Sequence, residues 1–387
     1  LRLKLAALLG RRQAVAPRSL VFFSEGKQYW NCFWPILEEL ETRQIAAVYW
    51  TMDAEDPALK PRCFRHITAQ FIGAGYAAFA RLNTLQADVC IMTTPGLDVL
   101  QIRRSPKVRH YCHIIHALDD CTLYRVFGTD YFDSVLLSGP HQVEALEALE
   151  AVRPIAKKEK YIVGCTYLDA LRQRWASLRF PQRDTEKFKL RLLIAPSWGP
   201  NGLLSKYGMD LLGPLLEEGY SLILRPHPQS KISEAGLLQD LQEQLRFYSG
   251  SRLQWDFERE NLGAFFASDV MISDFSSVVH DYLILTRKPV FIAEFAFNYD
   301  GCDAMDLLPR EPWALRAGRE VGLSFSDTEM LRERLREYES PNVRAEFQSK
   351  IEGLDAYRYP GEAGKRAADC ILQIRDSLKT HDSDTAT

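Results

Sequence analysis

Short apolar runs alternate along this chain with stretches of helical periodicity. Leu20-Val-Phe-Phe-Ser24 is a continuous apolar run closed by the turn Glu25-Gly26-Lys27-Gln28. Trp30, Phe33, Trp34, Leu37 and Leu40 then recur near the helical period, which predicts a helix over Tyr29–Arg43. The same reading gives strands at Ala46–Trp50, Ala87–Thr94, Val108–Ile115, Ser134–Ser138 and Tyr161–Gly164. Helices at Ile67–Leu82 and Val143–Ala151 fall between them. The scheme then starts again. Its strands are Leu190–Ile194, Leu222–Arg225, Leu253–Asp256, Val270–Ser273 and Val290–Ile292, and the helices Thr328–Tyr338 and Glu362–Ser377 close the chain. Buried strands alternating with helices imply an α/β fold, with parallel sheets joined by right-handed crossovers.

A charged stretch after a proline, Thr185–Leu190, places a domain boundary near residues 170–188. The expected division is a basic apolar segment 1–18, a first domain 19–175, a second domain 185–350, a final helix 351–378 and a polar, disordered tail 379–387. A chain of 387 residues accommodates two such domains. Its 46% hydrophobic and 26% charged content is that of an ordinary globular protein. The net charge of −3 argues against general nucleic-acid binding, which needs a basic surface. The eight cysteines show no Cys-x-x-Cys spacing and several sit in apolar strands, as buried thiols of a reducing cytosol do. No stretch has the length of a membrane span. Leu1–Arg12 is short, apolar and basic: it reads either as an amphipathic helix on an anionic lipid surface or as a linker or first packed helix.

Two turns carry the candidate chemistry. Ser273-Asp274-Phe275-Ser276-Ser277 follows a buried strand and opens a helix. Helix-start N–H groups lack internal partners and attract anions, so this turn either cradles a phosphate or caps the helix. Arg225-Pro226-His227-Pro228 ends another strand abruptly, and the prolines fix the backbone around the histidine. Ligands of open α/β sheets bind beyond the carboxyl ends of strands, which is where Arg225 and His227 fall. Lys27 and His141 occupy similar positions, either as cleft residues or as a solvated lysine and a plain helix-start residue. The Gly-x-Gly-x-x-Gly and Walker fingerprints are absent, and Gly73-Ala74-Gly75 lies within a helix-like stretch. Asp119-Asp120 reads as a metal pair or a turn, and without further convergent carboxylates no metal is expected.

His227-Pro228, Asp274-Phe275-Ser276-Ser277, Asp281-Tyr282 and Lys288-Pro289 together resemble the C-terminal domain of the CDP-glycerol glycerophosphotransferases. These enzymes build teichoic-acid-like poly(alditol phosphate) chains. Ala195-Pro196-Ser197-Trp198 resembles the family's Ala-Pro-Thr element, and Gly164-Cys165-Thr166-Tyr167-Leu168-Asp169 its Gly-x-Pro-x-x-Asp linker. The resemblance covers roughly residues 85–340, two domains of ordinary size. The N-terminal half departs from the family's His-Gly-Thr element with its following lysine. Within Arg109–Asp120, His116 matches the motif histidine, but Ala117 and Leu118 replace the glycine and threonine and no lysine follows. His113 is the fallback, and three residues apart on a strand the two would face opposite sides.

The resemblance implies a GT-B-like fold: two Rossmann-like domains with parallel sheets facing a central cleft, the last helix crossing back to the first domain. It implies transfer of glycerol phosphate, or a related alditol phosphate, from a CDP-linked donor to a hydroxyl of a polysaccharide, teichoic-acid-like or lipid-linked acceptor. CMP leaves, no cofactor beyond the donor is needed, and the reaction belongs to the cytoplasm or the inner face of the membrane. His116 is then the acceptor-side base and His227 stabilises the leaving group. Arg225, Ser197, Asp274, Ser276 and Ser277 bind the donor, and Glu258 or Glu294 either meets the ribose or is a plain surface carboxylate. Two alternatives stand beside this: another GT-B sugar transferase or epimerase, and a non-catalytic relative that binds nucleotide or polymer.

Overall fold

The computed structural model describes residues 18–60, 64–119, 121–178, 190–258, 260–338, 340–352 and 356–385. The segment Leu1–Arg12 and most of the boundary stretch, 185–189, lie outside them. The first domain contains β1 (Arg18–Ser24), α1 (Trp30–Thr42), β2 (Ala47–Thr51), β3 (Ile67–Phe71), α2 (Tyr76–Leu82) and β4 (Ala87–Met92). It continues with β5 (Val108–Ile114), β6 (Ser134–Leu137), α3 (Pro140–Val152), β7 (Glu159–Ile162) and α4 (Thr166–Ser177). The second domain begins with β8 (Arg191–Ile194), α5 (Leu203–Glu217), β9 (Ser221–Leu224), α6 (Ser230–Ser233), α7 (Ala235–Gln244) and β10 (Leu253–Trp255). There follow α8 (Leu262–Ala267), β11 (Val270–Ser273), α9 (Val278–Thr286), β12 (Val290–Ala293), α10 (Trp313–Val321) and β13 (Leu323–Phe325). The helices α11 (Thr328–Tyr338), α12 (Pro341–Glu352) and α13 (Ala363–Thr385) complete the described chain.

Both sheets are parallel, in the orders β3-β2-β1-β4-β5-β6-β7 and β10-β9-β8-β11-β12-β13. The inner strands are largely apolar because each sheet is covered on both faces, while the edge strands β3 and β7 carry exposed polar residues. In β1, Leu20 and Phe22 enter one core while Val21 and Phe23 enter the other. In β8, Leu192 and Ile194 face one way and Leu193 the other. The strand order reverses between β1 and β4 and again between β8 and β11. Those two points are where an open α/β sheet leaves a crevice for a ligand.

Three expectations need correction. The stretch 67–82 is not one helix: β3 comes first, and Gly73 (φ 91°) and Gly75 (φ 57°) turn the chain into α2. Gly73-Ala74-Gly75 is therefore a strand-to-helix turn, with left-handed backbone that glycine adopts without strain. The tail 379–387 was expected to be disordered, yet α13 runs through Thr385. The short strand β13 and the helix α12 were not foreseen at all. β13 has three residues, too few to show a period.

The contacts between the domains include two larger ties. Ala367, Ala368, Ile371 and Ile374 of α13 are buried in the same core as Phe33, Ile36 and Leu37 of α1. At Gly364 a Cβ would lie 2.6 Å from the Pro35 carbonyl oxygen, so only glycine admits this approach. Asp169 starts the helix: it accepts from the N–H groups of Gly361 (2.6 Å) and Ala363 (2.8 Å) and from the Tyr357 hydroxyl. The second tie is a strap beyond β12. Asp303 N–H donates to the Tyr124 carbonyl, and buried Arg153 meets Asp130 (2.9 Å), Asp303 (2.7 Å) and Asp306 (2.6 Å). Removing one partner of so buried a set typically costs several kcal/mol, because a charge is left unpaired.

Candidate active site

The second domain builds a cradle at its β8/β11 crevice. Arg225, His227, Ser276, Ser277 and Asp281 line one cavity of about 250 Å³. Arg225 is held from behind: its guanidinium donates to Asp256 (2.6 Å) and to the Glu258 carbonyl (2.8 Å). His227 Nδ1 accepts from the Gln229 N–H at 3.1 Å, so the neutral ring carries its proton on Nε2. Burial holds this imidazole below its usual pKa, with Glu234 opposing. Ser277 stands at the start of α9 and its side chain makes no capping bond. This weighs against the pure cap reading of the turn and leaves its hydroxyl available beside the helix-start N–H groups.

Asp274 has a different job from the one the sequence suggested. Its buried carboxylate accepts from the backbone N–H of Ser197 (2.9 Å) and of Leu203 (2.8 Å). It fixes the Ala195–Ser197 loop and the start of α5 rather than pointing at a ligand. Burial raises its pKa and those hydrogen bonds pull it back. Ser197 is brought to the crevice by this bond, and the half-exposed Trp198 ring tilts over His227 at 6.4 Å.

The first domain gathers a smaller set beyond the carboxyl end of its own sheet. β5 stops at Ile114, so His116 lies on the loop beyond the carboxyl end of the sheet. Its Nδ1 is 3.0 Å from Thr93 Oγ1, and its ring stacks on Tyr124 and meets the edge of Tyr29. Burial pushes its pKa down, while a hydrogen bond to Thr93 and the charge of Asp119 oppose the shift. His113 is fully buried, a core histidine packed against the rings of Tyr124 and Phe132. Desolvation, then the charge of His116, drives its pKa down to about 3, against a hydrogen bond with the Met92 backbone. The two rings do not face opposite sides, since both touch Tyr124. The alternation rule fails here because His116 has already left the strand.

Two further candidates are scaffolding. Lys27 pairs with Glu55 at the surface, and its N–H donates to Asp53. His141 lies buried where the first domain meets α10 of the second. It is 6% exposed, its Nε2–H donates to the Leu118 carbonyl at 2.7 Å, and its ring lies 4.0 Å from Trp313. Gln142 Nε2 adds bonds to the carbonyls of Ala117 (3.2 Å) and Asp119 (2.8 Å). Together they hold the loop that carries His116. Sequence reasoning missed Tyr124, Tyr29, Thr93 and Glu25. Glu25 is partly buried, its pKa raised by desolvation and lowered by a hydrogen bond to Thr94. The turn after β1 was the available signal, but it directed attention to Lys27.

Residues 181–301 match the family model of the CDP-glycerol:poly(glycerophosphate) glycerophosphotransferases. The second domain is similar to that family over this stretch. The wall teichoic acid polymerase TagF superposes with a TM-score of 0.59 at 19% identity, over 97% of this chain and 93% of that one. A TagF variant soaked with CDPG gives 0.57 at 17% identity, over 97% and 92%. The S. aureus MnaA–UDP structure gives 0.57 at 11% identity, over 90% and 95%. At such identities these establish the fold, which is the GT-B-like arrangement of two parallel-sheet domains. No curated protein matches the sequence.

The family motifs now divide into site and support. Lys288 donates to the carbonyls of Phe265 (3.0 Å), Phe266 (3.1 Å) and Ser268 (2.5 Å), and so closes the end of α8. Asp169 of the linker element caps α13, and Tyr167 Oη donates to Asp281 at 3.0 Å. Asp281 is buried, and desolvation followed by the charge of Asp119 raises its pKa to about 7, against the bond from Tyr167. Asp119 itself lies 2.8 Å from His280 Nδ1 of α9, a pairing that spans the two domains. Among the described residues no group of three His, Cys, Asp or Glu side chains converges as a metal cluster. Among them too, no helix is long and apolar enough to cross a membrane.

Proposed function

We propose that this chain transfers glycerol phosphate, or a related alditol phosphate, from a CDP-linked donor to an acceptor hydroxyl and releases CMP. The observation that carries the reading is the convergence of Arg225, His227, Ser276 and Ser277 on one cavity at the β8/β11 crevice. Cation, neutral N–H donor, hydroxyls and helix start suit a pyrophosphate. His116, kept neutral by burial, takes the acceptor proton as its oxygen bonds to the alditol-bearing phosphorus. The bond from that phosphorus to the bridging oxygen breaks, and CMP keeps the electron pair. Arg225, His227 Nε2–H and the α9 start stabilise the charge that develops there. With those donors in place, neither a resident metal nor another cofactor is part of the proposal. The acceptor we propose is a polysaccharide or lipid-linked polymer, reached from the cytoplasmic side of a membrane surface.

The test is release of CMP from CDP-glycerol by purified protein in the presence of acceptor. Ser276→Ala and Ser277→Ala should each raise the donor KM about fivefold or more, the loss of a hydrogen bond to a charged group. Acceptor KM should stay as in the wild type. If both variants only melt earlier and keep the wild-type donor KM, the serines are caps. If the donor binds and no CMP forms with any acceptor, the non-catalytic reading replaces this one.

A further inference from the structure

A second cavity, of about 300 Å³, lies on the other flank of the α9 start and shares Ser276 with the donor cavity. Its wall is the extended segment after β12, where Phe295, Phe297 and Tyr299 alternate along the chain and all reach the cavity. Phe275, from the turn that carries the serines, meets Phe297 edge to face at 5.3 Å, and Phe297 meets Tyr299 at 5.2 Å. The cavity's polar side chains include Ser276, His280, Glu294, Tyr299, Glu311 and Arg319, with Arg319 already ion-paired to Glu311 and His280 set against Asp119. Asp274 also lines the space, but its carboxylate is spent on backbone N–H groups.

We infer that this cavity receives the acceptor's terminal unit and that this unit is a neutral polyhydroxylated residue, a sugar or alditol, rather than a phosphate. The inference rests on the transfer reading and specifies its acceptor. Ionised carboxylates only accept hydrogen bonds, so Glu294 and Glu311 call for a ligand rich in O–H donors. Arg319 and His280 are both taken up by carboxylates, so Glu294 and Glu311 leave a phosphate no free cation among the described lining side chains to meet. Aromatic faces cover the C–H side of a sugar or polyol, and a few polar groups among aromatic rings are the usual make-up of a small-molecule site. The shared Ser276 puts the two ligands next to each other, as a transfer requires.

The experiment is saturation-transfer NMR on the full chain. The probes are ribitol, three neutral methyl glycosides (glucoside, galactoside and N-acetylglucosaminide), glycerol glucoside, their monophosphates, and CDP-glycerol as a separate arm. At least one neutral probe should bind, at least tenfold more tightly than its phosphate. Phe297→Ala and Glu311→Gln should each weaken it tenfold or more and leave CDP-glycerol binding unchanged. Both variants are checked by thermal melt, and Glu311→Gln keeps the test valid should Phe297→Ala misfold. The inference is overturned if CDP-glycerol binds and no neutral probe does, if the phosphates bind as well as the neutral probes, or if binding survives both substitutions. Failure of CDP-glycerol itself to bind would overturn the transfer reading as well.

Discussion

His227→Ala should lower turnover at least about 100-fold in a protein that still folds, as loss of an oxyanion-type donor does. The ring is half-buried between Pro226 and Pro228, and its Nδ1 is occupied by the Gln229 N–H. That leaves Nε2–H as the only donor it offers a ligand, at the strand end where the leaving phosphate is proposed to lie. Removing the ring forfeits one local hydrogen bond, worth about 1 kcal/mol, so the melting point should move by only a few degrees. The loss should therefore appear in kcat with CDP-glycerol saturating. His227→Asn restores an N–H donor on a shorter side chain and should recover part of the rate. A folded His227→Ala protein with wild-type CMP release would remove this residue from the mechanism.

Much of this architecture was legible in the residues. The strands of both sheets were readable because burial on two faces makes them continuously apolar, as in Leu20–Phe23 and Val270–Ile272. Ile67–Phe71 escaped because it is an edge strand, with one buried residue in five, and joins onto a helical pattern. On the donor side the turn chemistry pointed to the right loops but not to what each side chain does there. Asp274 and Ser276 sit two apart in one motif, yet one grips backbone and the other lines the cavity. Direction is set by which N–H groups the fold brings near, here those of Ser197 and Leu203, some 70 residues away in sequence. The contacts that cross the cleft, Asp119 with His280 and Asp303 with Tyr124, have no local sequence signature at all.

His116→Ala should cost about 100-fold or more in turnover with donor binding nearly unchanged, while His113 substitutions should act on stability alone. A general base must be unprotonated to work. Burial pushes the His116 pKa below the ordinary histidine value, so kcat/KM should stay level through neutral pH and fall only below about 6.5. In His116→Ala that acid limb should vanish along with the activity. His113 gives the opposite signature. Its folded pKa is about 3, against an ordinary value of 6.5 in the unfolded chain. Between those values the unfolded state binds the extra proton. The stability tied to keeping this ring neutral is complete above pH 6.5 and drains as pH falls toward 3, by at most about 1.4 kcal/mol per pH unit. His113→Phe, set against the rings of Tyr124 and Phe132, removes that proton and should flatten the fall in melting point between pH 6.5 and 4. Its CMP release at pH 7.5 should stay within about threefold of wild type, since the ring touches the site only through Tyr124. An active His116→Ala beside a dead but folded His113→Phe would exchange the two roles.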